Sequence, residues 1–111
     1  MATLEQEINL AKALAQRLPE VTRNEWMRWL QLVERYGVLQ AVQHAQRLSQ
    51  DVTLRPALQR ANRLIAQAMR ERQSELQQLT ENELSRVLGF VAWLLQIKTV
   101  RGSSQGPIED I

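Results

Sequence analysis

A short pattern, a threonine followed three residues later by Glu or Gln, recurs three times and divides this chain into helices. The pattern begins at Thr3, Thr22 and Thr80. In such a capping box the threonine side chain and the acid or amide satisfy backbone N–H groups at a helix start. After each box, apolar residues recur every three or four positions, which is typical of helices that bury one face. The spacing therefore predicts three helix starts.

Composition extends this prediction to the whole chain of 111 residues, because helix-forming side chains dominate and only four glycines and three prolines interrupt them. We predict an all-α fold, a single compact bundle of about five helices over residues 1–102, with a disordered tail at 103–111. Pro19, Gly37 and Gly102 are the predicted stops. The predicted helices cover about 4–18, 22–36, 38–48, 56–79 and 81–100.

Three tryptophans are expected in the core. Trp26 and Trp29 share a stripe with apolar neighbours on the second helix, which is core geometry rather than a platform for stacking bases. The last helix is apolar on nearly all sides over 87–97, so we predict that it is the most enclosed helix and that its Trp93 is buried.

Catalytic and metal-binding chemistry finds little support in the sequence. The chain has no cysteine and one histidine, His44, which cannot build a conventional zinc site without nearby carboxylates. A catalytic serine would need a general base to activate it, and His44 is the one histidine available to all the serines. Glu81 and Glu83 lie at a helix start, where acids favour the helix dipole. We therefore predict no enzyme activity, no metal, no cofactor and no small-molecule substrate.

We expect a cytoplasmic protein without a membrane partner, because no apolar segment resembles a secretory signal or is long enough to cross a bilayer. The amino-terminal residues lack a basic region followed by an apolar run, so they do not resemble a secretory signal. The apolar stretch at 87–97 is too short for a bilayer, which needs about 20 residues.

The predicted helix at 56–79 carries the clearest functional signal. At 100° per residue, Arg60, Arg63 and Arg70 fall on one stripe, with amide and hydroxyl side chains between them and almost no carboxylate. A solvated helix normally mixes signs, and the planar arginine fork suits phosphates. The stripe is interpreted either as a nucleic-acid contact or as a solvated face that lacks acids. The candidate nucleic-acid-binding residues are Arg47, Arg55, Arg60, Arg63 and Arg70.

Arg72 is a separate feature, because it falls on the apolar side of the same predicted helix. A lone buried charge is costly. The sequence leaves open whether this side chain reaches solvent, pairs with an acid or contacts another protein.

Two segments resemble a known family. EWMRWLQLVERYGVLQAVQHAQRL, at 25–48, has an amphipathic helix that meets a glycine and then an apolar run, 37–42. LSRVLGFVAWLLQIKTVRG, at 84–102, has an apolar run followed by basic residues. Together they resemble the small helical subunit of type III-B CRISPR effector complexes over under half of the chain. The first segment lacks the proline usual in that family, and small subunits of type I complexes are nearly as close.

The resemblance implies a non-catalytic subunit of a bacterial or archaeal antiviral ribonucleoprotein. Such subunits stack head to tail, contact other subunits and copies of themselves, and hold the backbone of guide RNA with its target RNA or DNA. No functional residue is carried over from the family. The alternative hypothesis is a helical adaptor module that binds an acidic protein partner. A sequence-specific helix-turn-helix protein is disfavoured, because the polar residues expected at the front of a recognition helix do not follow Gly37.

Overall fold

Helices form all the regular structure of the described chain. The computed structural model describes the backbone of residues 2–109 and the side chains of residues 2–97. Its helices are α1 (Leu4–Gln16), α2 (Arg23–Tyr36), α3 (Val38–Ser49), α4 (Pro56–Glu71), α5 (Gln73–Gln77) and α6 (Glu81–Glu109). The predicted all-α class is therefore confirmed, although the described residues form six helices rather than about five.

All three capping boxes are confirmed. In each, the threonine hydroxyl accepts a hydrogen bond from the backbone N–H three residues later. The Gln or Glu side chain accepts in return from the threonine N–H. The six donor–acceptor distances lie between 2.9 and 3.2 Å. These boxes start α1, α2 and α6.

The additional helix comes from a break at Arg72, so the prediction of one helix over 56–79 is wrong. Arg72 has φ −109° and ψ 15°, outside the helical region. A continuous helix would carry its charge on the apolar side, where an unpaired charge is costly. Instead the guanidinium is half-buried, and its Nη1 lies 3.0 Å from Oε1 of Glu75. Arg72 therefore pairs with an acid while its side chain also reaches solvent.

The core is centred on Trp26 and Trp29, whose predicted burial is confirmed. Their ring centroids lie 5.0 Å apart at an interplanar angle of 38°. Trp26 Nε1 donates to the backbone oxygen of Leu88 in α6, at 3.0 Å. Trp29 Nε1 donates to the backbone oxygen of Ala41 in α3, at 2.9 Å. The two indoles therefore connect α2 to both of its neighbours while filling the core.

The prediction that α6 is enclosed and that Trp93 belongs to the core is wrong. The buried side chains of this helix lie on one side and are Glu83, Val87, Leu88, Val91, Ala92 and Leu95. Trp93 is 62% exposed, with Gly89 and Gln96 also exposed. Because α6 packs mainly against α1 and α2, its other side is left open among the described residues. Apolar composition on all sides thus did not mean burial on all sides.

The backbone of α6 continues to Glu109, past the stop predicted at Gly102. The side chains of residues 98–111 lie outside the described residues, as does the backbone of 110–111, so the disordered tail at 103–111 stays a prediction. No helix within the described part of the chain is both long enough and apolar enough to cross a membrane.

Two buried carboxylates join the amino-terminal part of the chain to α6. Glu7 accepts from Nε and Nη2 of Arg86, at 2.8 and 3.2 Å. Glu83 accepts from the backbone N–H of Ala2 through Oε2, at 2.8 Å, and from that of Thr80 through Oε1, at 2.9 Å. Arg86 lies 79 positions from Glu7 along the chain, so no local sequence pattern predicted the contacts of Glu7. Ala2 is similarly distant from Glu83, whereas Thr80 is its local partner in the capping box.

Stability should depend on pH through Glu83. The backbone N–H groups of Thr80 and Ala2 hold the pKa of Glu83 below its ordinary value of 4.5. The folded state therefore favours the carboxylate more than the unfolded state does, and this contribution is present above pH 4.5 and lost as pH falls through the lowered pKa. We expect the free energy of unfolding, measured by urea denaturation, to fall less steeply below pH 4.5 in Glu83→Gln than in wild type. As a control, Glu81→Gln changes an exposed neighbour, and its free energy of unfolding should depend on pH as that of wild type does. An equal dependence on pH in wild type and Glu83→Gln would contradict this role of Glu83.

Two glycines should respond to alanine in opposite directions. Gly37 links α2 to α3 with φ 88° and ψ 162°, a region nearly restricted to glycine, so Gly37→Ala should lower the free energy of unfolding by about 1–3 kcal/mol. At Gly89 an added Cβ meets nothing within 4 Å, so Gly89→Ala should raise it by about 0.5–1 kcal/mol, because glycine weakens a helix interior. Urea denaturation at dilute protein concentration measures both. Changes of the same sign would contradict the backbone assignment.

Candidate nucleic-acid interface

The pairing of α3 with α4 is the most extensive contact between helices in the described chain. Small side chains are buried on both helices: Ala41 and Ala45 of α3, and Ala61, Ala66 and Ala68 of α4. Small residues allow helix axes to approach closely. The polar edges of the two helices therefore lie side by side.

Two shallow depressions follow these polar edges. One, of about 320 Å³, is lined by Gln46, Ser49, Gln50, Arg63, Ala66, Gln67 and Arg70. The other, of about 410 Å³, is lined by Gln43, Gln46, Arg47 and Gln50. Because Gln46 and Gln50 line both, the depressions form one continuous surface. We call these eight residues together the arginine–glutamine surface, leaving out only Ala66.

The charge on this surface has one sign. Its three arginines, Arg47, Arg63 and Arg70, are exposed, and no Asp or Glu lines either depression. Within residues 2–97, no salt bridge joins any of the three to a carboxylate. Arg63 and Arg70 are seven positions apart on α4, which is about 10 Å along the axis. An anionic ligand therefore meets guanidinium groups from both helices without a competing acid.

One guanidinium of the surface is oriented by a neighbour. The side-chain oxygen of Gln46, with its amide turned for hydrogen bonding, accepts from Arg70, and the distance to Nη1 is 3.0 Å. The backbone oxygen of Gln46 accepts from Ser49 Oγ at 2.6 Å. Gln46 therefore holds the guanidinium of Arg70 beside α3, where both residues line the same depression.

The structure brings together three of the five candidate residues and separates the other two. Arg60 lines neither depression, and its Nη1 lies 2.8 Å from Oε2 of Glu20, a residue 40 positions earlier. Arg55 is exposed at the start of α4 and lines neither depression. The two depressions are therefore lined by two arginines of α4, Arg63 and Arg70, and by one arginine of α3, Arg47.

Sequence reasoning missed Gln46, Ser49 and Gln50 as members of this surface. Gln46 and Ser49 lie on α3 and Gln50 directly follows it, at helical spacing beside Gln43 and Arg47, and that recurrence was the available signal. The pairing of this edge with α4 was not available, because it depends on how two helices pack.

Comparison with protein-family models, with curated proteins and with solved structures gave no match. Within the described residues, no group of three or more His, Asp or Glu side chains is placed to hold a metal ion. The geometry of this chain therefore carries the functional argument.

Proposed function

We propose that this protein is a non-catalytic subunit that binds the sugar–phosphate backbone of nucleic acid through the arginine–glutamine surface. The observation that carries the proposal is the union of Arg47, Arg63 and Arg70, from two helices, on one surface lined by no carboxylate. Guanidinium groups form strong, charge-assisted hydrogen bonds with phosphate. The glutamine amides add donors and acceptors suited to phosphate and sugar oxygens.

Contact with the backbone, rather than with base edges, is the mode that these side chains favour. None of the residues that line the two depressions is aromatic, whereas base stacking relies on aromatic side chains. Trp26 and Trp29 are buried, and the exposed Trp93 lines neither depression. Phosphate contacts carry no sequence information directly, so binding is proposed to be nearly independent of sequence.

Assembly into a larger complex completes the proposal. A few phosphate contacts supply modest affinity, whereas linked binding modules raise the effective concentration and with it the total affinity. The resemblance of 25–48 and 84–102 to CRISPR small subunits supports a particular setting, a cytoplasmic effector complex with guide RNA and bound target RNA or DNA. Other subunits of that complex are the proposed protein partners.

A competition experiment tests the proposal against an acidic protein partner. Fluorescence anisotropy of a labelled single-stranded RNA at low salt should show binding to the purified protein. Unlabelled RNA and single-stranded DNA of unrelated sequence should displace the probe at similar concentrations, because the backbone is the shared ligand. Poly-glutamate of matched charge should displace it poorly. No binding at low salt, or displacement by poly-glutamate as effective as by nucleic acid, would contradict the proposal.

A further inference from the structure

Arg60 is an exposed arginine of α4 that the arginine–glutamine surface leaves out. It lies three positions before Arg63, which is about 4.5 Å along the helix axis. It also lies two turns before the exposed Gln67, on nearly the same face of the helix, and Gln67 lines the depression that Arg63 and Arg70 share. Arg60 is therefore at the border of the surface, within the length of a strand that contacts Arg63.

Glu20 neutralises Arg60 at this border. Oε2 of Glu20 lies 2.8 Å from Nη1 of Arg60. Both side chains are about half exposed, at 54% and 53%, so their pairing contributes little to the stability of the fold. Its effect on a ligand is larger, because an ion pair has no net charge and an approaching polyanion is not attracted to it.

The turn that carries Glu20 is fixed by the core. The N–H of Val21 donates to the backbone oxygen of Leu18 at 3.2 Å and closes a four-residue turn. Pro19 is second in this turn, a position that suits its fixed φ. Leu18 and Val21, at the two ends of the turn, are both buried. Glu20 is therefore held next to α4 by a short, anchored segment.

We propose that Arg60 is a latent phosphate-binding residue of the arginine–glutamine surface, and that Glu20 limits the affinity of this surface by pairing with it. The inference rests on the proposed function, because Arg60 can act only if Arg63 beside it holds a nucleic-acid backbone. A carboxylate and a phosphate both accept charge-assisted hydrogen bonds from a guanidinium. Glu20 thus takes the place on Arg60 that a phosphate would take.

A strand gains little by displacing Glu20 from Arg60. The released carboxylate would be left beside the phosphates, and like charges at short range repel. The neutral pair also gives no net release of counterions, which is the source of the favourable salt term. Glu20→Gln removes the charge and keeps a side chain of similar size. This variant therefore frees Arg60 as a fourth phosphate contact.

Anisotropy titrations of the full chain with a labelled single-stranded RNA, repeated over a range of salt, test this role. At low salt Glu20→Gln should bind about tenfold more tightly than wild type, the effect of roughly one added charge-assisted hydrogen bond. The log–log slope should steepen from about −2 for three contacts to about −2.8 for four. Glu34→Gln also removes one negative charge, at an exposed position of α2 outside both depressions, and should keep the slope of wild type.

Arg60→Gln shows whether the gain passes through Arg60. In wild type this change should weaken binding much less than Arg63→Gln does, because Glu20 already occupies Arg60. In Glu20→Gln it should reverse the tenfold gain and return the slope to about −2. Such non-additivity is the mark of two residues that act on each other. Melting temperatures of all variants should stay close to that of wild type, since the pair is exposed.

The outcomes separate this inference from the proposed function. If wild type binds RNA while Glu20→Gln matches Glu34→Gln, the role of Arg60 is overturned and the proposed function stands. Equal losses from Arg60→Gln and Arg63→Gln in wild type would also overturn that role, since Arg60 would then already hold a phosphate. Absence of RNA binding by wild type overturns the proposed function and this inference with it.

Discussion

Trp26→Ala should lower the free energy of unfolding by about 3–5 kcal/mol, the range for large-to-small changes at a buried aromatic residue. The Trp26 side chain is fully buried, lies beside the Trp29 ring and donates to the backbone oxygen of Leu88. Alanine would leave a cavity in the centre of the fold and remove the hydrogen bond between α2 and α6. Trp93→Ala should change the free energy of unfolding by under about 0.5 kcal/mol, as is usual at exposed positions.

Urea denaturation of both variants, at a concentration where the chain is monomeric, measures this difference. Both variants remove the same side chain, so the comparison isolates its surroundings. A comparable loss of stability in the two would place Trp93 in the core and contradict the orientation of α6. Unchanged stability in Trp26→Ala would contradict the central position of α2.

The double variant Arg63→Gln/Arg70→Gln should weaken nucleic-acid binding by on the order of 100-fold at low salt. Each charge-assisted hydrogen bond contributes roughly 1.5–3 kcal/mol, and about 1.4 kcal/mol corresponds to a tenfold change in affinity. Arg63 and Arg70 are exposed, so the fold should be retained. The loss should be similar for unrelated sequences, because phosphates rather than bases are contacted.

A matched variant separates the position of these charges from their number. Arg28 and Arg35 are exposed on α2 and line neither depression of the arginine–glutamine surface. Arg28→Gln/Arg35→Gln removes two cations as well, and each double variant takes the formal net charge from +2 to 0. Anisotropy titrations should show a much smaller loss for this control. Equal losses in the two double variants would mean that net charge alone governs binding, and melting temperatures check that both proteins are folded.

Local interactions explain why so much of the fold followed from the sequence. A capping box joins residues three positions apart, so Thr3, Thr22 and Thr80 marked the helix starts without knowledge of packing. The stripe with Trp26 and Trp29 was equally clear, because polar residues on the rest of α2 show which side faces solvent. The apolar run of α6 lacks that contrast, and this is why the exposure of Trp93 was not predicted.

Contacts between distant parts of the chain account for what the sequence left unpredicted. Glu20 pairs with Arg60 across 40 positions, and Glu7 pairs with Arg86 across 79. Neither acid lies on the helix of its partner, so a helical wheel cannot include it. Gln50 likewise lies beside the arginines of α4 only through the packing of α3 on α4, and the same packing brings the predicted Arg47 to them. Arg63 and Arg70 of the predicted stripe therefore line one depression, whereas Arg60 lies outside that surface.

The salt dependence of binding tests the central claim most directly. Each arginine that contacts a phosphate releases counterions, with a log–log slope of affinity against salt of about −0.7 per contact for a single strand. If Arg47, Arg63 and Arg70 each hold one phosphate, wild type should give a slope of about −2 and Arg63→Gln/Arg70→Gln a slope of about −0.7. Equal slopes for the two proteins, or a wild-type affinity that does not change with salt, would contradict binding of a nucleic-acid backbone by the arginine–glutamine surface.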